Sequence, residues 1–176
     1  MSHLFLSYSR KDELIVSTLS RLLATSFAGL KTSSGETNAL IFQDVESMSI
    51  GEPWAEQVDA AIEKCAKMFV FWCCHSASSS EVAREYSRAL SLGKSVIPVL
   101  MDSSTLPAQL APIHGLDMRR LQLHTAILDL PQMSAMPDLR QYSPEKFSRQ
   151  LLFVQQFGEY LGYDQLELME NFSRKA

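Results

Sequence analysis

Chemistry-bearing side chains gather in one stretch of this 176-residue chain: Cys73-Cys74-His75, a serine run over 76–80, and then Glu81 and Glu85. Cys74 beside His75 supplies the residue types of a nucleophilic pair, with no orienting third group visible in the sequence. Successive strand residues face opposite sides, so Cys73 and Cys74 cannot both enter one site. No Cys-x-x-Cys and no His/Cys ligand spacing is present, and no metal site is expected. Glu81 and Glu85 are acids near the start of a helical segment, which the helix dipole favours whatever else they do. Arg10-Lys11 is a second group, placed just after the first apolar segment. Three familiar uses of such positions fail. Residues 7–12 (Ser-Tyr-Ser-Arg-Lys-Asp) lack the glycines that a dinucleotide fingerprint or a phosphate-binding loop needs. A phosphoacceptor aspartate is missing where the third strand ends in Cys73-Cys74-His75.

The elements that must position these groups alternate between strand and helix, the pattern of a parallel sheet covered on both faces. Strands are predicted at 3–7, 39–42, 67–74, 95–101 and 116–123, and helices at 11–28, 54–64, 81–92 and 144–161, with a last short helix over 163–173. Residues 67–74 are apolar on both faces, as an inner parallel strand requires. Pro98 inside the fourth strand suggests a bulge or a locally unpaired N–H. Ser143, Pro144 and Gly162 punctuate the 144–161 helix. The expected fold is a flavodoxin-like open five-stranded parallel sheet of order 2-1-3-4-5 with helices on both faces, plus a C-terminal helical extension. In that order, ligands collect between strands one and three, beyond their carboxyl ends. Residues 8–12 and 75–80 border the crevice, with 43–53 nearby.

Composition narrows the function class. A hydrophobic content of 46% allows a substantial core. The net charge of −4, with its cations scattered, argues against nucleic-acid binding. The longest apolar run, 68–74, is too short to cross a bilayer. No signal peptide is visible, and the three cysteines, two of them adjacent, suit no disulfide framework. A soluble cytoplasmic domain with reduced thiols is expected, without membrane or nucleic-acid partners.

Four blocks resemble a known family. Phe5-Leu6-Ser7-Tyr8-Ser9-x-x-Asp12 is similar to the opening motif of TIR (Toll/interleukin-1 receptor) domains. Ile41-Phe42-Gln43-Asp44-Val45, Gly51-x-x-Trp54 and Ala61-Ile62 resemble their second strand, BB loop and following helix. Ser76-Ala77-Ser78-x-Ser80-x-Val82-x-x-Glu85 resembles the segment bearing their catalytic glutamate, and Gly93-Lys94-x-Val96-Ile97-Pro98-Val99-Leu100 their fourth strand. In order, the blocks cover about residues 3–125, which suggests a core over 1–125 and an extension over 126–176.

The resemblance implies a reaction. Catalytic TIR domains cleave NAD⁺, releasing nicotinamide and giving ADP-ribose, a cyclic isomer or a conjugate. The bond breaks through an oxocarbenium-like state that a carboxylate can stabilise, and Glu85 matches that role. Ser7, Tyr8, Ser9, Arg10, Phe42, Asp44, Glu46, Ser78 and Glu81 are the implied substrate-binding positions, with Arg10 facing the pyrophosphate. NAD⁺ is the substrate, and no other cofactor or metal is implied. Some positions also have a plainer reading: Arg10 as a surface charge, Phe42 as core, Asp44 as a loop-orienting acid. Glu81 stands where many catalytic relatives carry tryptophan, and with Ser78 it fits a capping box. Trp54 is expected to pack the loop against its helix, and Trp72 to be core. Self-association through the BB loop, residues 43–53, is implied as well. The free-standing length resembles bacterial TIR NADases such as those of Thoeris antiphage defence, whose product is sensed by a downstream effector protein. A non-catalytic adaptor acting by homotypic assembly and a host-directed bacterial effector are the alternatives.

Overall fold

The computed structural model describes residues 3–33, 41–43, 54–122 and 144–175. Five parallel strands form one sheet: β1 (His3–Ser7), β2 (Ile41–Gln43), β3 (Lys67–Trp72), β4 (Ser95–Leu100) and β5 (Leu116–Asp117), in the order β2-β1-β3-β4-β5. Pairing is in continuous register, with Leu4 opposite Phe42 and Lys67, and Phe69 opposite Ile97. β3 is the inner strand expected from its composition, and residues 68–72 are buried without a break.

Side-chain alternation along β1 and β3 divides the core in two. Leu4, Leu6, Phe69, Phe71 and Cys73 point to a layer made by α1 (Glu13–Phe27), α5 (Pro144–Leu161) and α6 (Gln165–Lys175). Phe5, Met68, Val70 and Trp72 point to a layer made by α2 (Trp54–Lys64) and α4 (Ser80–Ser91). Between them lies α3 (Cys74–Ala77), a single turn leaving β3. Phe153, Phe157, Leu168 and Phe172 bring the C-terminal helices into the α1-side core, and Phe27 stacks on Tyr163 with centroids 4.6 Å apart. At Gly158 a Cβ would stand 2.3 Å from Leu168 Cδ2, so α5 and α6 cross closely there and any larger residue would push the Leu168 side chain aside.

Several expectations need correction. The first helix begins later than residue 11, because Arg10–Asp12 forms a separate 3-10 turn closed by the Asp12 N–H on the Ser9 carbonyl. Strand β3 stops at Trp72 and the chain turns at once into α3, where an extended run to 74 and a serine-rich turn were expected. β5 spans two residues and gives way to a 3-10 turn at Arg119–Leu121, so the predicted strand over 116–123 is mostly not strand. Pro98 causes no bulge: its register with Val70 is unbroken. Met101 N–H bonds Trp72 O, and Met118 N–H bonds Leu100 O, so even-numbered positions of β4 face β5. β5 begins opposite Val99, beyond the point where Pro98 would need a donor. The BB loop beyond Gln43, with Asp44 and Glu46, lies outside the described residues, as do the side chains of Phe42 and Trp54.

Candidate functional site

β1 lies between β2 and β3, and the connection through α1 covers one sheet face while the one through α2 covers the other. The exits of β1 and β3 therefore bound the crevice where such sheets bind ligands. Among the described residues, two buried carboxylates sit there, on opposite faces of the sheet.

The first is Glu85. Ser7 follows Phe5 in the alternation and so faces the α2/α4 layer. It is fully buried, and its Oγ donates to Glu85 Oε2 at 2.7 Å. Helix α4 turns Val82, Glu85, Tyr86 and Ala89 inward. Glu85 is only 6% exposed, which is uncommon for a glutamate whose one donor among the described residues is a neutral hydroxyl. Burial pushes its carboxyl up to about 7, against the Ser7 hydrogen bond and the Arg84 charge, while Glu81 and Asp59 add like charge. A carboxyl in that range exchanges its proton near neutrality, a property that gathers at reactive sites.

Glu81 stands one turn earlier and is exposed. Its own N–H and the Ser79 hydroxyl hold its carboxyl below the usual range, and the Arg10 charge adds to this. The capping box predicted from Ser78 is off by one residue. Ser79 is the N-cap, accepting from Val82 N–H at 3.3 Å, and it also donates to Glu81 Oε2 at 3.1 Å. Ser78 instead closes α3, donating to the His75 carbonyl at 3.0 Å.

The second carboxylate is Asp12, 2% exposed at the start of α1. Cys73 follows Phe69 and Phe71 onto the α1 side, where its Sγ donates to Asp12 Oδ2 at 2.9 Å. His75 Nδ1 meets Asp12 Oδ1 at 2.8 Å. The three donor atoms lie within 4.8 Å of one another. Sequence reasoning saw no His/Cys ligand set because it scanned local spacing; the missing member is Asp12, 61 residues from Cys73. It also paired His75 with Cys74, whereas His75 turns to Asp12 and Cys74 is exposed. Burial, together with the hydrogen bond to Asp12, pushes the Cys73 thiol up to about 11, which keeps it protonated near neutrality while no cation is bound. The Cys74 N–H bonds Asp102 Oδ2 at 2.8 Å, tying the exit of β3 to that of β4.

Of the remaining predicted positions, Ser9 is buried and holds the 3-10 turn through its carbonyl. Arg10 and Ser78 are exposed. Tyr8 packs against the α1-side core, away from the Ser7–Glu85 side. Ser7, Glu85, Glu81 and Arg10 are thus linked by contact or by charge, and Tyr8 is not brought to them. Trp72 is core, edge-on to Tyr86 at 6.3 Å, with its indole N–H on the Thr105 carbonyl.

The family model described as "TIR domain" matches residues 4–129. Among solved structures, the TIR domain of a Toll-related receptor from the lower metazoan Hydra magnipapillata is similar at a TM-score of 0.51. It shares 22% identity over 72% of this chain and 95% of its own, a likeness that speaks for the fold. No curated protein matches the chain.

Proposed function

The chain belongs to the TIR domain family, and from that premise we propose that it cleaves NAD⁺ between nicotinamide and ribose, with Glu85 as the catalytic carboxylate. The supporting observation is a buried glutamate on α4, bonded by Ser7 at the exit of β1 and poised to ionise near pH 7. When the C–N bond breaks, its electron pair leaves with neutral nicotinamide and positive charge develops on the ribose. An ionised carboxylate close by lowers that barrier, and it is worth more in a water-poor site. Ribose hydroxyls would compete with Ser7 for the Glu85 oxygens, which orients the sugar. Arg10, exposed beside Glu81, is assigned to the pyrophosphate. Capture of the ribosyl cation by water gives ADP-ribose, by an internal nitrogen a cyclic isomer, and by another nucleophile a conjugate.

The reading assigns the catalytic core to residues 1–125 and the extension to 126–176. Assembly through residues 43–53 would complete the site between copies. By analogy with bacterial TIR enzymes, the product would serve as a signal in antiphage defence, read by a separate effector.

The test is nicotinamide release from NAD⁺ across a range of protein concentrations, with Glu85→Gln in parallel and circular dichroism on both proteins. Turnover that rises with assembly and disappears in folded Glu85→Gln is expected. Full turnover in the variant would overturn the mechanism. A wild-type protein that assembles yet never consumes NAD⁺ would be an adaptor.

A further inference from the structure

On the face of the sheet away from Glu85, the structure assigns a second site: we propose that Asp12, Cys73 and His75 bind a borderline divalent cation of the zinc type. One oxygen, one sulfur and one nitrogen donor converge from the exits of β1 and β3, all within 4.8 Å of one another. That mixture selects zinc or cobalt over magnesium and calcium, which take oxygen donors. The spacing is close to what a tetrahedral ion needs. Zinc bonds of about 2.0–2.3 Å at tetrahedral angles place ligand atoms roughly 3.3–3.6 Å apart. Here Cys73 Sγ and His75 Nδ1 lie 2.9 and 2.8 Å from opposite oxygens of Asp12, and no two of the candidate ligand atoms are more than 4.8 Å apart, so side-chain adjustments of about 1 Å bring them to that spacing.

The surroundings suit such a site. Asp12 and Cys73 are buried, whereas the His75 side chain is 37% exposed, so an ion would reach the site past the imidazole and keep water as its fourth ligand. Ser76 stands 3.7 Å from Cys73 Sγ and is itself anchored on the Phe71 carbonyl, which holds the thiol in place. On binding, the Cys73 S–H proton passes to solvent, His75 shifts to the tautomer with its hydrogen on Nε2, and bonds from sulfur and Nδ1 to the metal replace both hydrogen bonds to Asp12. The ion would then join the start of α1 to the turn that leads into α4. None of this depends on NAD⁺ cleavage.

Cobalt titration of the purified, reduced chain tests the site. The expected result is saturation at one ion per chain, with a thiolate-to-cobalt charge-transfer band and tetrahedral d–d bands that added zinc removes. Cys73→Ser should lose the charge-transfer band. His75→Ala, with its fold checked by circular dichroism, should lose the tetrahedral spectrum. Cys74→Ser should retain both. Absence of a thiolate band in the wild-type chain, its survival in Cys73→Ser, or an unchanged spectrum in His75→Ala would each overturn the proposal.

Discussion

Glu85 and Asp12 are buried carboxylates at the ends of neighbouring strand connections, separated by one sheet and treated in opposite ways. Asp12 receives a thiol and an imidazole from the next strand exit, and it ties two loops together. Among the described residues, Glu85 receives one hydroxyl, from Ser7, and its carboxyl is pushed up to about 7. Burial costs a carboxylate several kcal/mol unless hydrogen bonds compensate. The structure supplies side-chain partners freely at Asp12 and sparingly at Glu85. An acid held short of partners is one whose charge a substrate can call upon, and that contrast separates the proposed catalytic group from the proposed ligand.

The sharpest way to break the comparison is the pH dependence of stability. Glu85 titrates near 4.5 when unfolded and about 7 when folded, so between those values the native state holds the extra proton. Its contribution to stability is present in full below pH 4.5 and is lost as pH rises through 7. The whole swing is up to about 3 kcal/mol at 1.36 kcal/mol per pH unit. Glu85→Gln removes it. The variant should therefore be more stable than wild type at pH 8 and nearly equal at pH 5, while its NAD⁺ cleavage falls by roughly 10³-fold. Urea titrations at the two pH values decide. A variant less stable than wild type at pH 8 would make Glu85 a structural residue.

Asp12→Asn is the counterpart. It takes charge and acceptor capacity from a buried cluster without relieving any strain, and should cost about 1–3 kcal/mol. Unlike Glu85→Gln, it should destabilise at pH 8, so the two variants move in opposite directions under one condition. Equal signs would erase the distinction.

Ser7→Ala probes the sparing side more finely. Its hydroxyl favours the ionised form of Glu85. Removing it should move the rising limb of the pH–rate profile upward and lower kcat/KM at pH 7 by about tenfold, with recovery at higher pH. A uniform loss at every pH would mean that Ser7 only supports the fold.

These groups were not equally legible in the sequence. Alternation of strands and helices located the layers, and the 144–161 helix was readable to the residue because Pro144 and Gly162 mark its ends. Ser7 and Glu85 were both marked by motif, but their bond over 78 positions was not, since it depends on which face of β1 the alternation selects. The Asp12 cluster was missed for the same reason on the other face: ligand spacing was sought locally, and the third donor comes from another strand exit. β5 was overread because apolar residues such as Leu121 and Leu123 invite a strand, whereas Leu121 is buried from a 3-10 turn.

The smallest effect concerns how α4 is aimed. Cap position sets where a helix begins, and hence which residues face the sheet. With Ser79 as cap, Val82, Glu85, Tyr86 and Ala89 form the inward stripe, and Glu81 is left at the crevice mouth. Ser79→Ala should cost about 1 kcal/mol, the usual loss for an N-cap. Ser78→Ala should cost less, since Ser78 is exposed and merely closes α3. Neither change should move the midpoint of the pH–rate profile, because Ser7 and the packing of Tyr86 and Ala89 hold Glu85 from the sheet side. If Ser79→Ala shifted that midpoint while thermal unfolding barely changed, the poise of Glu85 would come from the serine turn rather than from β1. The line between a sparingly held and a fully held carboxylate would then have to be redrawn around the serine turn that joins α3 to α4.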